Sequence, residues 1–236
     1  MSQGAIIAAL PGELRPLVRG WRRESRGGAE LWRRGDGAWV AACAGAGCEA
    51  AGRALAEIEK DGPVGLIVNT GWAGALRPEF AAGQAYGVSG VIDGRTGERY
   101  GLRARIPGCW LVTSPRVADQ PEKQRLATAF GAGLVDMEAA GLARLAAARG
   151  VPFWCVKGVS DGAADQIPDF TGFIAANGKF QLIRFIGFAL PRPALWPALV
   201  RLGRNSRRAA RAIRPLVLAI LESAAGDRGG APIAQK

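Results

Sequence analysis

The chain has 236 residues, a formal net charge of +11 and no histidine. That length suits one sizeable α/β domain with appendages, and 49% hydrophobic residues with 34 glycines exclude a disordered chain. Without histidine no Ser-His-Asp or Cys-His device can form, so proton transfer falls to Asp, Glu, Lys, Tyr or Cys. Cys43, Cys48, Cys109 and Cys155 lie apart with no CxxC pair. They read as reduced, mostly core thiols, and neither a metal nor a cofactor is expected. Met1–Leu10 has no basic region before its apolar run, and Ala5–Leu10 is too short for a signal-peptide core, which predicts a cytoplasmic protein.

In chain order, Ala5–Leu10, Trp39–Cys43, Leu66–Thr70, Tyr86–Val91, Trp110–Thr113 and Phe153–Val159 read as strands. Cys48–Lys60, Glu122–Phe130, Glu138–Arg149 and Ser206–Ser223 read as helices. The alternation predicts an α/β fold over 1–236, three αβα layers around a central mixed β-sheet. In such sheets ligands sit at the carboxyl ends of strands. Three of those ends carry polar or Gly-rich turns: Leu10-Pro11-Gly12-Glu13, Asn69-Thr70-Gly71-Trp72-Ala73-Gly74 and Ser160-Asp161-Gly162-Ala163-Ala164-Asp165. In a fourth, Val135-Asp136-Met137-Glu138, a helix opens directly after a strand-like segment.

Between Asp169 and Glu222 there are nine basic side chains and no acidic one, interleaved with Phe180, Leu182, Ile183, Phe185, Ile186, Phe188, Leu195, Trp196 and Leu199. No apolar run approaches the ~20 residues that would span a bilayer. The stretch fits a packed subdomain, a nucleic-acid surface or a lid that touches an anionic membrane. Arginines interleaved with Leu and Phe, and the lack of a recognition motif, argue against a basic nucleic-acid-binding protein, so no nucleic-acid partner is expected.

Four blocks in order resemble the nucleoside phosphorylase and nucleosidase superfamily, with the signature of methylthioadenosine/S-adenosylhomocysteine nucleosidases and related purine nucleoside phosphorylases. They are Ile6-Ile7-Ala8-Ala9-Leu10-Pro11-Gly12-Glu13-Leu14, Asn69–Gly74, Val135-Asp136-Met137-Glu138-Ala139-Ala140, and Val156-Lys157-Gly158-Val159-Ser160-Asp161 running on to Asp165. The resemblance implies a phosphorylase/hydrolase-like fold and cleavage of the bond between a purine and a ribose. It implies Asp161 as the general acid to purine N7, oriented by Ser160, and Glu13 as the base that activates water. Glu138 would bind the ribose hydroxyls with Met137 packed under the sugar; Gly71 and Trp72 would line the nucleophile subsite, where the family has Ser in place of Trp72. Val117 and Ala118 stand where the family stacks an aromatic ring on the base. Bare residue types allow blander roles: Glu13 a solvated helix-start carboxylate, Glu138 a first-turn residue, and Asp161 or Asp165 a cap.

Phosphorylases of this superfamily hold phosphate with a Gly and an Arg after the first strand, which makes Gly12 and Arg15 the phosphate candidates here. Asn69 matches the hydrolases, and hydrolysis is the favoured reading over phosphorolysis. Nucleosidases end soon after the Ser-Asp motif, whereas about thirty further residues, 173–205, precede the helix at 206–223 and read as a helical insertion. That insertion, the divergent Thr113–Ala118 loop and Gly158 resemble the hopanoid-associated branch that removes adenine from adenosylhopane. The resemblance implies a lipid-linked substrate, a peripheral site on the inner face of the cytoplasmic membrane, and a homo-oligomer. A soluble methylthioadenosine or adenosylhomocysteine substrate remains the alternative.

Overall fold

The structure is a computed structural model that describes residues 2–102, 108–168 and 170–227. Its strands are β1 (Gln3–Ala8), β2 (Arg22–Arg26), β3 (Ala29–Arg33), β4 (Trp39–Cys43), β5 (Val64–Ala75), β6 (Ala85–Asp93), β7 (Arg99–Gly101), β8 (Gly108–Thr113), β9 (Leu134–Asp136) and β10 (Phe153–Asp161). Its helices are α1 (Pro11–Leu14), α2 (Cys48–Glu59), α3 (Gln120–Phe130), α4 (Ala139–Arg149), α5 (Leu182–Ala189) and α6 (Trp196–Asp227).

Alternation along the inner strands decides which helices cover them. In β1, Ala5 and Ile7 point to one face with Ile67, Cys155 and the apolar stripes of α2 and α4. Ile6 and Ala8 point to the other with Val68, Val156 and the stripe Ile213, Val217 and Ile220 of α6. Successive side chains of a strand face opposite sides, so one apolar run serves two cores and the expected αβα layering results. A third cluster joins α3, through Leu126, to Ile92, Val112 and Val135.

The sheet is mixed. β1 pairs in parallel with β4 and β5, and the hairpin β2–β3 extends the β4 side in antiparallel fashion. On the other side β5 pairs in parallel with β10 and, at Gly74 and Ala75, antiparallel with β9. Since β10 also pairs with β6, β6 with β8 and β8 with β9, these strands close a ring with β5.

Several expectations change. Asn69–Gly74, read as a strand-end turn, is continuous strand within β5, because pairing with β10 and β9 carries the ladder past the glycines. The C-terminal helix starts at Trp196 instead of Ser206, with Pro197 in the first turn, where a missing N–H is harmless. The 173–205 stretch is only partly helical. It opens with a one-turn helix at Thr171–Phe173 and a bridge between Ile174 and Phe180, and only then enters α5. The β2–β3 hairpin was not expected, since β2 reads Arg-Arg-Glu-Ser-Arg with no apolar alternation; ion pairs Arg23–Glu30 and Arg33–Glu24 tie it instead.

Helix α6 lies so close to β10 that a Cβ on Gly158 would stand 2.9 Å from the Ala209 Cβ and 3.0 Å from the Ile213 Cδ1. Gly158→Val should therefore lower unfolding stability by about 1–3 kcal/mol, the usual cost of overpacking. Urea unfolding followed by circular dichroism reads this, and an unchanged midpoint would argue against the close approach of α6.

Candidate active site

The carboxyl ends of β1, β4, β5, β8, β9 and β10 surround one cavity of about 320 Å³. Glu13, Trp72, Val117, Ala118, Met137, Glu138, Ser160 and Asp161 all line it. Residues as far apart in sequence as Glu13 and Asp161, 148 positions, thus meet as the strand-end rule predicts. Gly12, Arg15 and Gly71 are outside that lining. Arg15 is exposed, so the expected phosphate element does not reach the cavity.

Glu13 sits in the one-turn helix α1 and its side chain folds back on the preceding loop. Oε2 accepts the backbone N–H groups of Ala9 (2.9 Å) and Leu10 (2.7 Å), while Oε1 accepts that of Trp72 (2.7 Å). Burial pushes its pKa above the ordinary carboxylate value, opposed by these N–H groups and by Lys157. Gly71 makes the arrangement possible. Its φ is +133°, and a Cβ there would lie 2.7 Å from Oε1 of Glu13.

Glu138 stands at the start of α4 without capping it; Asp136 does that, accepting the Ala139 N–H at 2.9 Å. The Glu138 carboxylate accepts the Gly47 N–H at 2.9 Å and lies 4.0 Å from Lys157 Nζ. Burial, with Asp136 nearby, raises its pKa to about 7 against the pull of Lys157. Lys157 binds Asp136 at 2.8 Å. Burial works against its ammonium, yet Asp136 and Glu138 hold the pKa above the ordinary lysine value. Thr113 donates to Asp136 at 2.7 Å and accepts the Ala140 N–H, which completes the buried network.

Asp161 ends β10. Its Oδ1 lies 2.5 Å from the Ser160 hydroxyl, and its Oδ2 meets the ammonium of Lys123. Lys123, from α3, is 1% exposed and also donates to the Gly162 carbonyl at 2.7 Å. Asp165 does not line the cavity; its Oδ2 accepts the Gly162 N–H at 2.8 Å and braces the turn, a loop residue with no helix to cap. Sequence reasoning missed Lys123 and Lys157. Lys157 gave a signal, a lone charge inside the apolar run Phe153–Val159, which only a buried counter-ion would permit. Lys123, in a polar helix, gave none.

Trp72 links three elements: its ring covers Gly12, its N–H holds Glu13, and its Nε1 donates to the Ser206 carbonyl at 3.0 Å. Asn69 is fixed below, donating to the Ile7 carbonyl at 3.1 Å. The outer wall is apolar and comes from the C-terminal segment, with Phe170, Ile174, Phe180 and Leu202. Phe170 and Phe180 belong to a cluster with Phe173, Phe185 and Phe188, ring centroids 5.1–6.1 Å apart.

Residues 95–182 match the family model of the phosphorylase superfamily. No curated protein sequence matches the chain. Among solved structures, 5'-methylthioadenosine/S-adenosylhomocysteine nucleosidase of Helicobacter pylori superposes with a TM-score of 0.69 at 13% identity, covering 94% of this chain and 99% of that one. Futalosine hydrolase of the same organism gives 0.70 at 12%, covering 94% and 98%. The 5'-methylthioadenosine nucleosidase of Arabidopsis thaliana gives 0.71 at 16%, covering 94% and 95%. The chain therefore has the fold of these nucleosidases over nearly its whole length, and its residues 95–182 carry the phosphorylase-superfamily pattern.

Proposed function

We propose that this chain is a purine nucleosidase that hydrolyses the N-glycosidic bond of an adenosine-type nucleoside and releases adenine. The observation that carries this reading is the meeting of Glu13, Glu138 and Asp161 in one cavity with an apolar outer wall. Asp161 protonates the purine so that it leaves neutral. Glu138 holds the ribose hydroxyls over Met137, and those charge-assisted bonds tighten as positive charge grows on the sugar. Glu13, a buried carboxylate of raised basicity, takes the proton of the attacking water. Val117 and Ala118 supply apolar walls, and the rings of Trp72, Phe170 and Phe180 are the aromatic surfaces available to the base. With Arg15 exposed, water fits the nucleophile position better than phosphate.

The substrate we propose is lipid-linked, adenosylhopane being the fitting example, with a soluble methylthio- or homocysteinyl-adenosine as the alternative. The cavity is at the small end of ligand pockets, about 300–1,000 Å³, so a bulky 5'-substituent must leave it. Beside its aromatic wall every strongly exposed large apolar side chain among the described residues is found between Leu182 and Val200, Ile183 reaching 88% exposure. Arg184 and Arg192 lie within that stretch and Arg201, Arg204, Arg207 and Arg208 follow it, all exposed. Among the described residues no helix is long and apolar enough to cross a membrane, so the reading is of peripheral contact.

Asp161→Asn should lower adenine release by about 10²–10⁴-fold; near wild-type turnover would remove Asp161 from the reaction. Gly71→Ala, with its strained φ and its Cβ against the Glu13 carboxylate, should lower kcat more than it raises KM. Adenine release should proceed without phosphate. A phosphate requirement with ribose 1-phosphate as product would assign the protein to phosphorolysis. In sedimentation assays the protein should bind anionic liposomes, each surface Arg being worth ~1 kcal/mol, and part of the binding should survive high salt. Changing Arg201, Arg204, Arg207 and Arg208 to Gln should abolish that binding and activity on the lipid nucleoside while sparing a soluble adenosine analogue. Equal loss on both substrates would make the segment an ordinary part of the core.

A further inference from the structure

We infer that Lys123 is the proton reservoir behind Asp161: its ammonium supplies the proton that Asp161 hands to the leaving purine. The inference rests on the nucleosidase reading. Lys123 Nζ touches Asp161 Oδ2 and lies 2.7 Å from the Gly162 carbonyl, and the whole side chain is 1% exposed. A lysine so deeply buried is held there by the opposite charge it meets, and Lys123 and Asp161 form a buried ion pair. A resting carboxylate has no proton to give to a base, so an acid role for Asp161 needs a donor at its back. Lys123 is the group in contact with it that carries a transferable proton and a charge to lose. The Ser160 hydroxyl on the other oxygen has a single proton and stays neutral.

The step balances. The C1'–N9 bond breaks with its electron pair passing to the purine, Asp161 gives a proton to N7, and Lys123 gives one to Asp161. Water oxygen bonds to C1' while Glu13 takes its proton. After the products leave, the proton on Glu13 returns through solvent to the Lys123 amine. The ion pair is restored, and the net reaction is nucleoside plus water to purine plus sugar.

Other ionisable groups face the same space. Glu13, Asp136, Glu138 and Arg116 line the cavity, Glu122 is next to Lys123 on α3, and Asp165 braces Gly162 with Arg201 3.6 Å from it. They are common to wild type and variant, so the ratio of the two rates at each pH cancels their titration to first order.

The test is adenine release from an adenosine-type nucleoside between pH 5 and 9 by wild type, Lys123→Met and Lys123→Arg, each checked for folding by thermal melts. Without its ammonium, Asp161 must draw each proton from solvent, so the Lys123→Met to wild-type ratio should fall steadily as pH rises, by about tenfold per pH unit where it is steepest. Lys123→Arg keeps the charge but cannot give up a proton, and should be slow at every pH. A Lys123→Met ratio that is flat with pH would overturn the relay and leave Lys123 as a residue that only positions Asp161, the reaction itself standing. Wild type that releases no adenine would overturn the nucleosidase reading, and the relay with it.

Discussion

Strand β5 must satisfy its backbone along twelve residues against three neighbours: β1 on one side, β10 along the other, and β9 at its tip. An unpaired buried peptide group is costly, so the position of β5 fixes those partners together. Its pairing with β9 and β10 closes the ring through β8 and β6. The carboxyl ends of β1, β9 and β10 are thereby brought to one point, each carrying or leading into an acidic residue. Gly71 is the price of the geometry: at φ +133° it leaves room for the Glu13 carboxylate against the strand.

Electrostatics follow from that convergence. Glu13, Asp136, Glu138 and Asp161 are buried together with the two ammonium groups of Lys123 and Lys157. Each lysine is bound to an aspartate, which leaves the two glutamates to backbone N–H groups and a more distant lysine. Burial raises the pKa values of both glutamates, Glu138 to about 7. A site with more carboxylates than ammoniums, in a low-dielectric setting, favours positive charge developing within it.

The C-terminal segment serves the cavity and the surface at once. Its inner side supplies Phe170, Ile174, Phe180 and Leu202 to the wall, and its turn is pinned to the β4–α2 loop, where Ala46 N–H donates to the Gly178 carbonyl at 2.8 Å. Its outer side leaves Ile183, Leu190 and Val200 in solvent among arginines. Trp72, through its bond to the Ser206 carbonyl, couples the site to the buried part of α6.

The sequence by itself determined much of this. Apolar runs with their periodicity located most strands and helices, and the resemblance of short contiguous blocks to a known family singled out Glu13, Met137, Glu138, Ser160 and Asp161, because each block lies within a few neighbouring residues. Long-range pairing lay outside its reach. That Asn69–Gly74 stays in the sheet is decided by β10 and β9, and α6 reaches back to Trp196 through Arg- and Gly-containing turns that read locally as loop. The β2–β3 hairpin is held by cross-strand ion pairs, which no apolar period announces. Likewise Lys123 and Asp161 are 38 residues apart on different elements. A lysine in a polar helix looks solvated until the fold places a buried carboxylate against it, since charge pairing depends on distance in space and not along the chain.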